Sequence, residues 1–328
     1  MLAMTLALMI TGDATANAKL DITEWQVPWE NSRPRDPYVA GPDEVWFVGQ
    51  RSDYAAVLNP QSGEFERIDL PAGAGPHNII VDERGAWYAG NKGAHIGKID
   101  RETYEITQYP LPGEGRRDVH TMEFDSNGDI YFTAQGANQL GHMDAETNAI
   151  TLWDVPTKNA RPYGLVVFQG KPWATLFGSN KLVTLNDNAV QEIELPRKNS
   201  NRPRRIGVDA QGHFWYVDYA GGYLGRWNPA TDEINEWPLP AGVRSMPYAM
   251  AVDNRGYVWA AETGVQPNRI VGFDSVSETF TQPFEVESGG GTIRHMVFDP
   301  ASNALWFGTD ANTIGRAEIS YYSTPAAD

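Results

Sequence analysis

One pattern constrains the fold of this chain before any other: an aromatic-rich apolar segment returns at a nearly constant interval. It reads Val45-Trp46-Phe47, Trp87-Tyr88, Ile130-Tyr131-Phe132, Trp173, Phe214-Trp215-Tyr216, Val258-Trp259 and Leu305-Trp306-Phe307. Between the aligned aromatics Trp46, Trp87, Tyr131, Trp173, Trp215, Trp259 and Trp306 the spacings are 41, 44, 42, 42, 44 and 47 residues. Each unit carries three further strand signals. A second strand follows the aromatic one, as in Ala94-His95-Ile96-Gly97-Lys98-Ile99 and Tyr223-Leu224-Gly225-Arg226-Trp227. A third ends on proline, at 106–112, 150–156, 190–196 and 234–240. The fourth precedes the aromatic strand, at 79–82, 122–125, 165–168, 206–209 and 250–253, and joins it through hairpin turns such as Asp125-Ser126-Asn127-Gly128. Four strands at a period in the low forties is the signature of a β-propeller blade. The fold class read from the sequence is therefore all-β: a seven-bladed β-propeller of four-stranded antiparallel blades.

The chain ends test the count. The last repeat stops after Ile314-Gly315-Arg316-Ala317-Glu318-Ile319 without a proline-terminated strand, while Ile22-Thr23-Glu24-Trp25-Gln26-Val27-Pro28 matches Ile234-Asn235-Glu236-Trp237-Pro238-Leu239-Pro240. The N-terminal strand is expected to complete the last blade and close the ring. The 328 residues, which at roughly 150 residues per domain suggest two, then form one domain over 19–328. Gly 32 and Pro 22 supply the turns. Residues 1–18 stand apart: an apolar run from Leu2 to Ile10 and the triplet Ala16-Asn17-Ala18 read as a signal peptide with its cleavage site, so a periplasmic or secreted location is expected.

Composition narrows the chemistry. With Cys 0, no thiolate metal site, disulfide or cysteine nucleophile is possible, so a metal must use carboxylates, amides, carbonyls or the six His. A formal charge of −16 argues against nucleic acid, whose phosphates call for a basic face. A small-molecule ligand, no membrane span and a monomer are expected.

In a propeller the innermost strands begin around a central channel. Counting five residues back from Asp43, Asp82, Asp125, Phe168, Asp209, Asp253 and Asp299 gives Tyr38, His77, His120, Tyr163, Arg204, Tyr248 and Arg294. All seven are large polar or ionisable side chains, which reads as a ligand-facing ring; a hydrogen-bonded plug in the channel is the structural alternative. His77 and His120 fall on adjacent blades and can address one molecule. Asp118, two residues before His120, shares its side of an extended strand, where it could hold a hard cation or simply orient the histidine. Arg204-Arg205 and Arg294-His295 offer cationic donors to a carbonyl, carboxylate or oxyanion. His95, His142 and His213 fall in outer strands or turns.

The strand starts Gly75-Pro76-His77-Asn78-Ile79 and Arg161-Pro162-Tyr163-Gly164-Leu165, with segments such as Asn312-Thr313-Ile314-Gly315-Arg316, resemble the streptogramin B lyase (virginiamycin B lyase) family of seven-bladed propellers. That resemblance implies a carbon–oxygen lyase that opens a cyclic depsipeptide by elimination at an ester and requires Mg²⁺. It further implies a substrate-contacting histidine at His77, a catalytic base at His120 and a metal-binding acid at Asp118. Tyr38, Tyr163, Arg204, Tyr248, Arg294 and His295 then complete a substrate-binding ring. The family's pair lies in its last two blades, so this correspondence rotates the ring. Its other metal carboxylate lies on the following aromatic strand, where this chain has Ala134 and Gln135, Gln135 being nearest the metal position; Asp218 and Glu262 occupy the related places in blades five and six. A non-catalytic exported binding propeller and a lactonase-like hydrolase remain the alternatives.

Overall fold

The computed structural model describes residues 17–186, 188–197 and 202–322. These form seven antiparallel sheets: six of four strands, and one in which two short strands, Thr279–Phe280 and Phe284–Glu285, share the outer edge of Arg269–Asp274. Blade two is representative, running outward through Pro76–Asp82, Gly85–Gly90, His95–Ile99 and Ile106–Pro110. The other innermost strands are Pro34–Gly41, Met122–Phe124, Pro162–Phe168, Pro203–Val208, Met250–Val252 and Ile293–Asp299. Proline opens four of the seven, a position where the missing amide hydrogen is tolerated. The leader assigned to 1–18 lies almost wholly outside the described residues; its last residue, Ala18, is already the first of the strand Ala18–Gln26. Among the described residues no helix is long and apolar enough to cross a membrane.

The ring closes as the repeat requires. Ala18–Gln26 pairs antiparallel with Thr313–Tyr321 from Ala18 opposite Tyr321 to Gln26 opposite Thr313, giving the last blade its fourth strand. Trp25 stacks on Trp306 with ring centroids 5.6 Å apart, and Asn312 Nδ2 donates to the carbonyls of Val27 and Trp29. Both faces of every blade are thereby covered. Each of the seven interfaces holds its own apolar cluster, such as Trp46, Val48, Ile68, Ile79, Val81 and Tyr88 between blades one and two. Trp306 and Ile314 of the last blade pack with Val45, Phe47 and Leu58 of the first.

Two local devices repeat. The aspartate ending an innermost strand caps the hairpin and anchors the next aromatic: Asp209 accepts from the backbone of Gln211 and His213 and from Trp215 Nε1 at 2.8 Å, and Asp253 does the same for Arg255, Tyr257 and Trp259. Much of the acid excess is spent in such turns. The second device is an aromatic ring of the second strand lying flat against a glycine of the third. Tyr88 covers Gly97, Phe132 covers Gly141, Tyr216 covers Gly225 and Phe307 covers Gly315, and a Cβ at Gly225 would sit 2.1 Å from the Tyr216 ring.

Gly225→Ala should therefore destabilise the protein by about 1–3 kcal/mol through overpacking, measured by denaturant unfolding. Deleting residues 19–30 strips the closing strand, and the expected outcome is loss of the cooperative thermal transition followed by circular dichroism.

Candidate functional site

Side chains at the starts of the innermost strands converge on one mouth of the channel. The ladder registers fix the equivalent positions: Pro34, Pro76, Pro162, Pro203 and Ile293 pair with Gly49, Gly90, Leu176, Asp218 and Thr309, and the ring residue follows each. This places Arg35, His77, Tyr163, Arg204 and Arg294 together, and His120 and Tyr248 take the matching places through backbone bonds to Thr133 and Ala261. Six of the seven residues expected from the sequence are thus gathered. Tyr38 is the exception. The first blade's inner strand carries one extra residue between Val39 and Gly41 and ends at Gly41, leaving Asp43 two residues further on in the hairpin turn, so a fixed count lands three residues late. Tyr38 pairs with Trp46 and lines a groove with Asp82, Arg84 and Phe124 at the far end of the strands, while Arg35 occupies the mouth.

The ring is tightly packed. His77 and His120 lie with centroids 3.6 Å apart, and Tyr163 is 4.1 Å from His120. His120 Nδ1 is 3.0 Å from Thr121 Oγ1, while Nε2 has no protein partner among the described residues. Tyr163 and Tyr248 share a short hydroxyl–hydroxyl hydrogen bond. The hydroxyls of Thr133 and Thr175 donate at 2.8 Å to the carbonyls of Tyr163 and Arg204, so each second strand fixes the ring residue of the next blade. A further tier was not read from the sequence: the residues just past the second strands. Among them Phe177 and Tyr219 both pack against the Arg204 guanidinium, at 4.2 and 4.1 Å, and Asp310 binds Arg294 in bidentate fashion at 3.1 and 2.6 Å. Aligning the residue after each aromatic strand, as was done for the inner strands, would have found them. Gln135 occupies this tier in blade three.

One layer below, Asp36 is buried and lies within 3.3 Å of Arg35 Nε and 3.5 Å of Arg205 Nη2. Burial opposes its charge, yet His295, Arg35 and Arg205 prevail and hold its carboxyl at about 2. His295 belongs to this layer, and burial lowers its imidazole to about 4. Burial and the surrounding guanidiniums push His77 and His120 well below the usual 6.5, so both rings are neutral at pH 7. For Tyr248, burial is overcome by Arg35, Arg204 and Arg294, which bring the phenol down to about 7; burial and this neighbour push Tyr163 up to about 12. Glu123, further along the channel strand of blade three, is pushed up to about 7 by burial.

Asp118 is not presented to the ring. It precedes the regular part of its strand, which starts at Met122, and both its oxygens accept from the backbone of Gly136 and Ala137 at 2.9–3.0 Å. It ties the turn after the second strand to the link between blades, a junction that Asp53 makes from the other side in blade one, where it accepts from the amides of Gly73 and Gly75 in the link. Asp218 and Glu262 are likewise spent: Asp218 accepts from the Arg202 amide and Arg197, and Glu262 from the Ala241 amide, Ser245 and Arg269. No group of three His, Asp or Glu among the described residues could hold a metal ion. Asp118 and Gln135 therefore do not fit magnesium, since the one carboxylate is bound to backbone and the guanidiniums of Arg35 and Arg205 crowd the histidines. His95, His142 and His213 lie outside the ring, bonded to Tyr88, Asp129 and Asp209.

A closed seven-bladed ring whose ionisable side chains meet at one channel mouth defines the class: a β-propeller with a single axial polar site. The chain belongs to the virginiamycin B lyase family, whose model matches residues 12–180. Among solved structures, a streptogramin B lyase superposes with TM-score 0.82 at 24% identity, covering 93% of this chain and 98% of that one. A catalytically inactive virginiamycin B lyase from Staphylococcus aureus with quinupristin gives 0.82 at 21%, covering 92% and 99%. The WD40 propeller domain of Doa1 gives 0.72 at 11%, covering 92% and 97%. Comparison with curated proteins gives no match.

The buried neutral histidines set a pH dependence. With folded pKa values below the unfolded 6.5, the unfolded chain binds more protons, so stability is full above about 6.5 and falls as pH drops below it. The melting temperature should decline from pH 7 to pH 5, and His77→Asn with His120→Asn should flatten that decline.

Proposed function

We propose that this protein breaks an ester by elimination at the channel mouth, as a carbon–oxygen lyase, with His120 as the base. The observation that carries the reading is the neutral His120 imidazole, packed at a tilt against His77, its Nδ1 held by Thr121 and its Nε2 without a protein partner among the described residues, close to the guanidiniums of Arg205, Arg35 and Arg204. A general base must be unprotonated at working pH and fixed in orientation, and this one is both. In the step, Nε2 takes the proton from the carbon α to a carbonyl. The freed electron pair becomes the carbon–carbon double bond, the β carbon–oxygen bond breaks, and a carboxylate leaves. The guanidiniums of Arg35, Arg204 and Arg294 neutralise the enolate-like charge and receive the carboxylate, and preorganised donors of this kind are a large part of catalytic power. His77 packs the substrate side of His120. Membership of the virginiamycin B lyase family supports the reaction class, and the relative solved with quinupristin supports a cyclic peptide or related ester as the kind of substrate to try first. Export to the periplasm or medium belongs to the same proposal.

The engagement of Asp118 with its turn favours one other reading, a binding propeller without catalysis. A panel of cyclic depsipeptides and simple esters followed by mass spectrometry separates the readings. Products of unchanged total mass are expected; a gain of water would mean hydrolysis, and an unaltered ligand would mean a binder. His120→Ala should lower the rate by about 10²–10⁴-fold, and EDTA treatment should leave it unchanged because no residue set here is suited to the metal.

A further inference from the structure

The channel mouth is cationic in a protein of formal charge −16. Arg33, Arg35, Arg204, Arg205 and Arg294 surround it, and the carboxylates they meet are Asp36 and Asp310. Arg204 has no carboxylate partner among the described residues; its guanidinium rests on Phe177, Tyr219 and Tyr248 and donates to Tyr163 Oη at 3.3 Å. Buried polar atoms are left unused beside it: the Arg35 Nη2 and Arg204 Nε donors and the His77 Nδ1 nitrogen have no hydrogen-bond partner among the described residues, although Arg35 and His77 are only 3% and 4% exposed. A buried, under-compensated set of guanidiniums is costly unless a counter-charge completes it. An ionised Tyr248 would supply one negative charge and still leave cations in excess.

We propose that the ring binds a small organic anion carrying at least two acidic groups, carboxylate or phosphate, whose oxygens take the unused donors of Arg35 and Arg204 while Phe177 and Tyr219 hold Arg204 in place. The inference rests on the ring being the ligand site, as proposed above, and not on the elimination step. It narrows the substrate class: an ester taken here bears acidic groups of its own beyond the carboxylate it releases.

The test is calorimetric titration of the full-length protein with citrate and with pyrophosphate, against sodium chloride at matched ionic strength. Saturable binding of one anion per chain is expected, at least tenfold weaker in Arg204→Gln. Preference for citrate assigns a polycarboxylate and preference for pyrophosphate a phosphate ester. Heat no greater than that of chloride overturns the proposal, as does binding unaffected by Arg204→Gln. Should that variant fail to fold, tyrosinate absorbance of the wild-type protein gives the answer instead: a bound anion should shift the low-pH tyrosine ionisation upward, and an unmoved titration overturns the proposal. The two readings fail separately: anion binding without any ester cleavage removes only the lyase, and cleavage without anion binding removes only this inference.

Discussion

A propeller blade has two apolar faces and can bury both only when the ring around it is complete. Here completion depends on one antiparallel pairing, Ala18–Gln26 against Thr313–Tyr321, with Trp25 stacked on Trp306 behind it. Without that strand the last blade exposes an edge, and its packing against the first blade loses Val27 and Trp29. The seven interface clusters are linked in a circle, so a gap at one releases its neighbours. The mouth inherits this dependence, because Arg35 and Arg294, which crowd Tyr248 from blades one and seven, lie on the two sides of the closure.

The electrostatics of the site are inverted relative to the surface. Acidic residues are spent singly on turns, where Asp82, Asp209 and Asp253 tie hairpins to tryptophans. Guanidiniums are concentrated where strands converge: together with burial they keep the histidines neutral, and against burial they lower the phenol of Tyr248 and, with His295, hold the charge of Asp36. A cation in this bore would be repelled by the groups that an anion would satisfy. That contrast follows from residue choice at a few strand starts.

The architecture was legible because its signal is periodic: aromatic, glycine and turn residues recur in step, and the unmatched strand at each end demanded closure. Most of the ring was legible for the same reason. Where the period slipped, reading failed. A bulge in the first inner strand, together with an aspartate placed in the turn and not at the strand end, displaced the count and put Tyr38 in the place of Arg35. Asp118 kept two readings, cation ligand or structural anchor, for a different cause: strand alternation says which side a side chain leaves from but not that the segment before Met122 is irregular and its carboxylate is claimed by two backbone amides. Asp36 has no motif of its own, while Phe177, Tyr219 and Asp310 share only a position, the residue after an aromatic strand, whose role shows once the fold brings it beside the ring.

The flat contact between a second-strand aromatic and a third-strand glycine carries a consequence for how such a molecule can change. Because Tyr88, Phe132, Tyr216 and Phe307 each make the blade rigid through the same steric lock, the scaffold's solidity is held in the blade bodies and owes little to the residues at their tips. Each tip is then a socket of fixed position and free content. Chemistry can be exchanged between sockets, or carried around the circle from one pair of blades to another, while the frame that aims it stays the same.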